Sequence, residues 1–392
     1  MDNRQIPKGL RDLLPEEVKH RRKLEQKAMK LFASYGYREV MTPTFEFLEA
    51  VETGAGKHRE RLFLFMDREG GILSLRPEMT VSIARLAAMH LREADYPQRL
   101  FYSANVFRHV QPHLAQYREF WQTGVELLGA SGPWADAEVI SLAVKLLQEL
   151  GLQDFKISLN QIGIFNGLLA DAPIGGDDKD EIRRLVEKKD LVELEQRLAG
   201  LAMPDAWKEA IARLPVLHGG LEVLKQIPYL ERNSATEQAV GDLVRVYEAL
   251  RDYGVAEHIV IDMGVLRELD LDYYTGVIFE GYSPELGYGL LGGGRYDHLT
   301  GKFGFPCPAT GFALGMDRLA LVLDGPEEEP ARVLLGGRSL RALAAKAEQL
   351  RREGKTVEMD LEGHDRAYLE DKVRGRRDLS LIYLDREGQG GE

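Results

Sequence analysis

Two glutamates, Glu78 and Glu126, with Gln122, Thr80 and Arg108, are the side chains in this sequence best suited to hold a small zwitterion. Gln122 and Glu126 lie four apart in a strand-like stretch, Tyr117 to Leu128, so they share one face. Glu78 and Thr80 share a face as well if Arg76 to Thr80 is extended. Arg108 closes the preceding strand-like stretch, beside a polar loop around Pro112. Carboxylates cage an ammonium and a guanidinium forks onto a carboxylate, so a ligand carrying both groups suits the set. A solvated sheet face with ordinary salt bridges uses the same residue types, and local spacing leaves both readings open.

Other motifs carry less. Gly292-Gly293-Gly294-Arg295 has neither Walker nor Rossmann spacing. It suits either close approach of a ligand to the backbone or a turn at a strand end. His109 and His113 have Pro112 between them and no Cys or carboxylate, a poor zinc pattern, so no metal and no cofactor are expected. Cys307, between two prolines and without a nearby base, is expected to be a small buried residue. Asp270 and Asp272 suit paired acid–base work, though strand-edge positions account for them better.

These residues need elements to place them. A helix is predicted after Pro15, where Val18, Leu24, Ala28, Leu31 and Phe32 recur at helical spacing and Gly36 supplies a stop. Tyr37 to Phe47 is β-rich and broken by Pro43. Arg61 to Leu75 has a hairpin pattern, two apolar runs flanking Asp67-Arg68-Glu69-Gly70-Gly71. Arg99 to Arg108 and Tyr117 to Leu128 follow without an intervening helix, which implies antiparallel pairing. Trp134 to Leu150 is predicted helical, ending at Gly151. Over 165–254 strand signals vanish and charged helical segments such as Asp180 to Leu198 and Glu237 to Tyr253 form an insertion. Strands resume at His258 to Met263, Gly276 to Tyr282 and Tyr288 to Gly292, and a helix is expected over Gly311 to Leu323. After the linker Gly325-Pro326-Glu327-Glu328-Glu329-Pro330, alternating patterns from Val333 to Leu384 predict a βαβαβ module of about 60 residues, marginal in size. The expected domains are therefore a core over 1–324, containing the insertion 165–254, and a small domain over 331–392.

The chain has 392 residues, 44% hydrophobic and 29% charged, an ordinary globular composition. No apolar run reaches the ~20 residues of a bilayer span, and the first residues carry no signal-like core. A single cysteine excludes an internal disulfide, so a reducing cytoplasm and no membrane are expected. Lys plus Arg total 51 against 63 Asp plus Glu, a net charge of −12. Proteins that grip phosphate backbones usually carry a basic face, so nucleic-acid binding is disfavoured.

Taken in order, these segments resemble the class II histidyl-tRNA synthetase family. Pro7-Lys8-Gly9-Leu10-Arg11-Asp12 with Pro15 is similar to its opening pattern, and Gly36-Tyr37 through Pro43 to its first class motif. Leu75-Arg76-Pro77-Glu78-Met79-Thr80 resembles the stretch that grips the amino acid. Phe107-Arg108 with Tyr117-Arg118-Glu119-Phe120 resembles the second motif, and Asp272-Tyr273-Tyr274-Thr275 the histidine-specific motif. Gly293-Gly294-Arg295-Tyr296-Asp297 and Gly311 through Arg318 resemble the third-motif region. The likeness implies an α+β fold, a six-stranded antiparallel sheet flanked by helices, in a self-associating dimer. It also implies that Glu78, Thr80, Arg108, Gln122, Glu126, Tyr273 and Tyr274 fall on histidine-binding positions.

The departures bear on activity. An arginine that stands in the synthetases five residues before the second tyrosine of the histidine motif is Leu269 here. Val110 replaces a glutamate of the second motif, Gln111 and Gln116 replace basic residues of the following loop, Met79 replaces a glycine, and Asp317 replaces a glutamate before Arg318. A leucine cannot stabilise charge developing on an adenylate, and losing one such contact costs ~10²-fold or more in rate. Binding groups kept and activating groups lost imply a sensor with no catalytic residues of its own. The C-terminal module is short for an anticodon-binding domain and lacks a basic track, so no tRNA is expected. The resemblance thus narrows to the ATP phosphoribosyltransferase regulatory subunit family. It implies a non-catalytic chain of histidine biosynthesis, partnered by a short-form catalytic subunit that needs it for activity, with histidine as feedback effector. An active histidine-tRNA ligase and a stand-alone synthetase-like binding protein are the alternatives.

Overall fold

The first helix forms as its pattern predicts. Helix α1 spans Pro15–Ser34, with Pro15 in its first turn and the Glu17 carboxylate accepting the Leu14 N–H at 3.0 Å. It buries Leu24, Ala28 and Phe32, and the chain turns away where Gly36 takes φ +81°. This computed structural model describes residues 4–55, 59–111, 117–227, 230, 233–264, 273–284, 289–323 and 331–385. The chain divides into two compact units, Met1–Asp324 and Gly325–Glu392.

In the first unit, β1 (Arg38–Glu39) and β2 (Phe45–Phe47) flank Pro43, and α2 covers Leu48–Ala55. Strands β3 (Leu64–Met66) and β4 (Ile72–Leu75) make the expected hairpin. Asp67 Oδ1 closes its turn by accepting the Glu69 and Gly71 N–H groups at 2.9 and 2.7 Å. Strand β2 joins on the other side of β4, giving a small sheet of order β2-β4-β3. After α3 (Thr80–His90), strands β5 (Gln98–Phe107) and β6 (Glu119–Leu128) pair antiparallel along their full lengths. Helix α4 (Pro133–Leu150) ends at Gly151 in the left-handed region.

Strand β7 (Lys156–Gln161) is one that the apolar pattern does not announce, because Ser158, Asn160 and Gln161 are polar yet buried. Asn160 Nδ2 donates to the Met263 carbonyl at 3.3 Å and Ser158 Oγ to Asp262 at 3.2 Å, which satisfies them inside. Helices α5 (Ile162–Asp171), α6 (Gly176–Glu187), α7 (Leu191–Ala199) and α8 (Asp205–Arg213) follow, then the two-residue β8 (His218–Gly219) and α9 (Ser234–Asp252). Strands β9 (Ile259–Asp262), β10 (Val277–Tyr282) and β11 (Gly289–Arg295), helix α10 (Leu299–Lys302), strand β12 (Ala309–Gly315) and helix α11 (Met316–Leu319) complete the unit.

One expectation fails here, and one of two open readings is ruled out. Gly311 to Gly315 is strand, and helix starts only at Met316. Gly311, Ala313 and Gly315 alternate with Phe312 and Leu314, a period of two, and β12 finds ladder partners on both sides. Likewise Gly292-Gly293-Gly294 is no turn but lies inside β11, paired to β10 and β12.

The main sheet has the order β1-β5-β6-β12-β11-β10-β7-β9-β8. Its central six strands, β5 to β7 in that order, are antiparallel throughout, as the synthetase likeness implies. β1 and β9 extend it in parallel. Val125, Phe312, Phe279 and Leu159 share one row across the ladder and enter the large apolar core with Phe32 and α4 residues such as Ile140 and Leu147.

In the second unit, β13 (Arg332–Gly337), α12 (Leu340–Arg352), β14 (Thr356–Met359), α13 (Arg366–Val373) and β15 (Leu379–Leu384) form the expected βαβαβ module. Its parallel strands have the order β14-β13-β15. Leu343, Ala347 and Leu350 of α12 pack on Val333, Leu335 and Val357, and Leu369 of α13 packs with Leu334 and Leu379. The linker residues 325–330 lie outside the described residues.

Candidate functional site

Gln122 and Glu126 stand on the sheet face opposite the large core, where neighbouring strands carry almost no side chains. Gly311 is the ladder partner of Glu126 and Gly294 of Gly311, while Ala313 and Gly292 continue the row of Gly124. The ladder requires this smallness. A Cβ on Gly311 would stand 1.9 Å from a Glu126 carboxylate oxygen, and one on Gly294 would stand 2.9 Å from the Tyr274 ring. The bare floor leaves an open pocket between the sheet face and the side chains that overhang it. Glu78, Thr80, Arg108, Gln122, Glu126, Tyr273 and Tyr274 all line it, so the seven residues singled out in the sequence meet in one place.

Glu78 and Thr80 reach the pocket by a route other than the extended one considered above. Met79 already has helical angles, and Thr80 opens α3. The Glu78 carboxylate caps that helix, accepting the Thr80 and Val81 N–H groups, both at 2.8 Å. Thr80 Oγ1 donates to Glu126 Oε1 at 2.7 Å, and the Tyr296 hydroxyl donates to Glu126 Oε2. Arg108 lies just beyond β5, its Nε donating to the Pro77 carbonyl at 2.8 Å and its guanidinium 5.4 Å from the Phe120 ring centre. Tyr273 is buried, with a long 3.5 Å contact from its hydroxyl to Glu78 and its ring against those of Tyr274 and Tyr296.

Burial raises both carboxylates. Glu126 is pushed up to about 8, chiefly by desolvation and further by the neighbouring Glu78, against the hydrogen bonds from Tyr296 and Thr80. Glu78 also rises through burial, opposed by the Val81 and Thr80 N–H groups and by Arg108. Arg108 is lowered by burial, opposed by Glu78. Gln122 Oε1 is buried without a hydrogen-bond partner among the described residues. Two buried carboxylates and an orphan acceptor around one guanidinium make a site short of donors and of positive charge. Among the described residues no group of three or more His, Cys, Asp or Glu side chains is placed to hold a metal.

Other motif residues build the frame. Arg76 donates to the carbonyls of Thr42, Pro43 and Asn105 at 2.9, 3.1 and 2.9 Å. Arg295 bridges Asp136 and Asp297, both at 3.0 Å. Asp317 accepts from Arg11 at 2.8 Å and from the Trp121 N–H at 2.7 Å, which joins the opening motif to β6. Cys307 is buried, as expected. His109 sets its ring edge-on to Phe63. Pro112, His113, Gln116, Leu269, Asp270 and Asp272 lie outside the described residues. Sequence reasoning gave no site role to Tyr296, Gly311, Phe312 or Ala313, which also line the pocket. For the three residues of β12 the signal was the alternation of small and large residues over Gly311 to Gly315, hidden by the helical reading of that segment.

Comparison with known proteins agrees with this fold. The sequence model of the family described as Histidyl-tRNA synthetase matches residues 9–319. An ATP phosphoribosyltransferase regulatory subunit of Moorella thermoacetica is 44% identical over 367 residues, 92% of this chain and 93% of that protein. One from Desulforamulus reducens is 38% identical over 390 residues, 98% and 96% of the two chains. A crystal structure described as an ATP phosphoribosyltransferase regulatory subunit/histidyl-tRNA synthetase from Bacillus halodurans superposes with a TM-score of 0.88 at 32% identity, covering 98% of this chain and 99% of that one. A histidyl-tRNA synthetase from Nostoc shares the fold at TM-score 0.79 and 21% identity, over 97% and 92% of the chains. With its synthetase-like sheet and these relatives along nearly its whole length, the chain belongs to the ATP phosphoribosyltransferase regulatory subunit family.

Proposed function

We propose that the chain is the non-catalytic regulatory subunit of an ATP phosphoribosyltransferase in histidine biosynthesis, and that its pocket senses histidine. The observation that carries the sensing is the pair of buried carboxylates, Glu78 and Glu126, facing a glycine floor beside Arg108. In this reading Glu78 and the orphan Gln122 Oε1 receive the α-ammonium, Glu126 accepts the imidazole N–H, and Arg108 meets the α-carboxylate. Thr80 orients Glu126, and the Tyr273 and Tyr274 rings wall the site.

Its partners are a short-form catalytic subunit, which carries the phosphoribosyl chemistry, and a second copy of itself. Histidine acts by binding one state of the complex better than another, so its effect is bounded by that difference in affinity. The chain itself does not adenylate, because Val110 and Leu269 place aliphatic groups where the synthetase motifs carry charge. It binds no tRNA, and it works in a reducing cytoplasm. No helix among the described residues is long and apolar enough to cross a membrane. The 1–324 core, with its 165–254 insertion, holds the sensor, and 331–392 is a separate small domain.

The decisive assay measures phosphoribosyltransferase activity of the short catalytic partner with and without this chain, across a histidine titration. Added activity that histidine suppresses is expected. No effect on a folded partner refutes the assignment.

A further inference from the structure

The two pocket carboxylates are served by different donors. Glu78 accepts two backbone N–H groups at the start of α3, both at 2.8 Å, and has the Arg108 guanidinium for a neighbouring cation. Glu126, 1% exposed, accepts only hydroxyls, from Thr80 at 2.7 Å and from Tyr296, and no cation among the described residues pairs with it. Two neighbouring buried carboxylates cannot both ionise cheaply, so the one without a cation keeps a proton. The other titratable groups around Glu126 do not compete for that proton. Tyr102 of β5, Tyr273, Tyr274 and Tyr296 are all pushed upward by burial and stay neutral.

Charge counting then fixes the form of the ligand. Glu78 and Arg108 cancel, and the ammonium and carboxylate of an amino acid cancel. The filled pocket is neutral only if Glu126 and the ligand's ring hold one proton between them, and a buried charge without a counter-charge is costly. We propose that the pocket selects an amino acid with a basic ring and holds histidine as its imidazolium, the extra ring proton coming from Glu126. The carboxyl O–H bond breaks, an N–H bond forms on the bare ring nitrogen, and near neutrality no proton is exchanged with solvent. Imidazole is more basic than a glutamate carboxylate by about two pH units in water. The Thr80 and Tyr296 hydroxyls favour the ionised carboxylate, and the aromatic rings of Tyr273 and Tyr274 at the wall suit a cation. Free imidazole gains its proton near ~6.5, and free Glu126 loses its own at about 8. Histidine is therefore held best between those two limits and more weakly on either side. The proposal rests on the histidine site described above.

The test is calorimetric titration of histidine into the purified full chain at pH 7.2 and 8.5, in buffers of different ionisation enthalpy, which counts the protons exchanged. Glu126→Gln is the reference for protons that belong to the ligand's other groups. At pH 7.2 the wild type is expected to exchange no net proton, because Glu126 brings about 0.9, the free ring about 0.2, and the complex keeps one. At pH 8.5 free Glu126 is about one quarter protonated, so the wild type takes up about 0.8 proton more than Glu126→Gln. Release of about one proton at pH 7.2 means that the proton is expelled and overturns the proposal. Equal uptake by the two proteins at pH 8.5 overturns it as well. Ring-labelled ¹⁵N-histidine bound at pH 7.2 is expected to show both ring nitrogens protonated, and one bare nitrogen overturns the cation. If Glu126→Gln fails to fold or to bind, the wild-type count at pH 7.2 and the nitrogen shifts decide alone. A wild type that binds no histidine at either pH overturns the pocket reading and the proposal with it, whereas binding with the wrong proton count overturns the proposal alone.

Discussion

Replacing Glu126 by glutamine should make the protein more stable at alkaline pH than the wild type. Glu126 holds its proton in the folded chain up to about 8, whereas an ordinary glutamate releases it near 4.5. Between these values the folded state binds more protons than the unfolded one. The stability from this group is therefore complete at low pH and is lost as pH rises toward 8. The slope is about 1.4 kcal/mol per pH unit, so pH 5.5 to 7.5 removes about 3 kcal/mol, a large share of a ~5–15 kcal/mol total. Glu126→Gln keeps the shape and an acceptor for Thr80 Oγ1 but carries no charge at any pH. Urea unfolding followed by tryptophan fluorescence isolates the right unit, because Trp121, Trp134 and Trp207 all lie in Met1–Asp324. The variant's advantage over the wild type is expected to grow by about 3 kcal/mol between pH 5.5 and pH 7.5. Parallel pH profiles for the two proteins would refute the raised ionisation and the donor-poor pocket inferred from it.

Three further changes separate binding from framework. Gly311→Ala puts a methyl group 1.9 Å from the Glu126 carboxylate and 2.4 Å from the Val125 carbonyl of a paired strand. It should cost about 1–3 kcal/mol in urea unfolding and abolish histidine binding in calorimetry. Arg295→Met leaves the buried Asp136 without its 3.0 Å partner, so a loss of about 3–5 kcal/mol is expected, with histidine affinity kept in whatever fraction stays folded. Leu269→Arg restores one synthetase-like charge, yet histidine-dependent ATP–pyrophosphate exchange should stay undetectable because Val110 and Gln116 remain. Strong exchange in that variant would show that a single side chain accounts for the inactivity.

The elements that could be read from sequence are those in which pattern and burial agree. α1, the β3-β4 hairpin and the β5-β6 pair show their periods openly, and Gly36 and Gly151 end helices as their conformational freedom suggests. β7 escaped because the face opposite Ile157 and Leu159 carries Ser158 and Asn160, buried and satisfied by partners about 100 residues away that local pattern cannot reveal. β12 was taken for a helix because glycines and an alanine leave no amphipathic contrast between the two periods. The same lack of side chains makes the pocket floor, so the segment hardest to assign is the one the site most requires. Gln122 and Glu126 could be paired by strand spacing. Bringing Glu78 to them depends on a helix N-terminus formed by Thr80 and Val81, which spacing alone does not foretell.

A ligase and a sensor ask different things of such a pocket. A ligase must stabilise charge that exists only in its transition state, which is why a lost arginine or glutamate is costly to it. A sensor needs only a ground-state ligand whose contacts differ between two arrangements of the protein. Glu78 is placed for the second task. Its carboxylate lines the pocket and also caps α3, and α3 grips the small sheet through Arg85 and Glu46. A cation that offsets the burial of Glu78 therefore changes the load on a helix start and on the sheet beyond it. In the proposed reading, Val110 and Leu269 stand where the synthetase motifs carry charge, so the means to activate a carboxylate is removed while the binding groups are kept, a change of task on an inherited site.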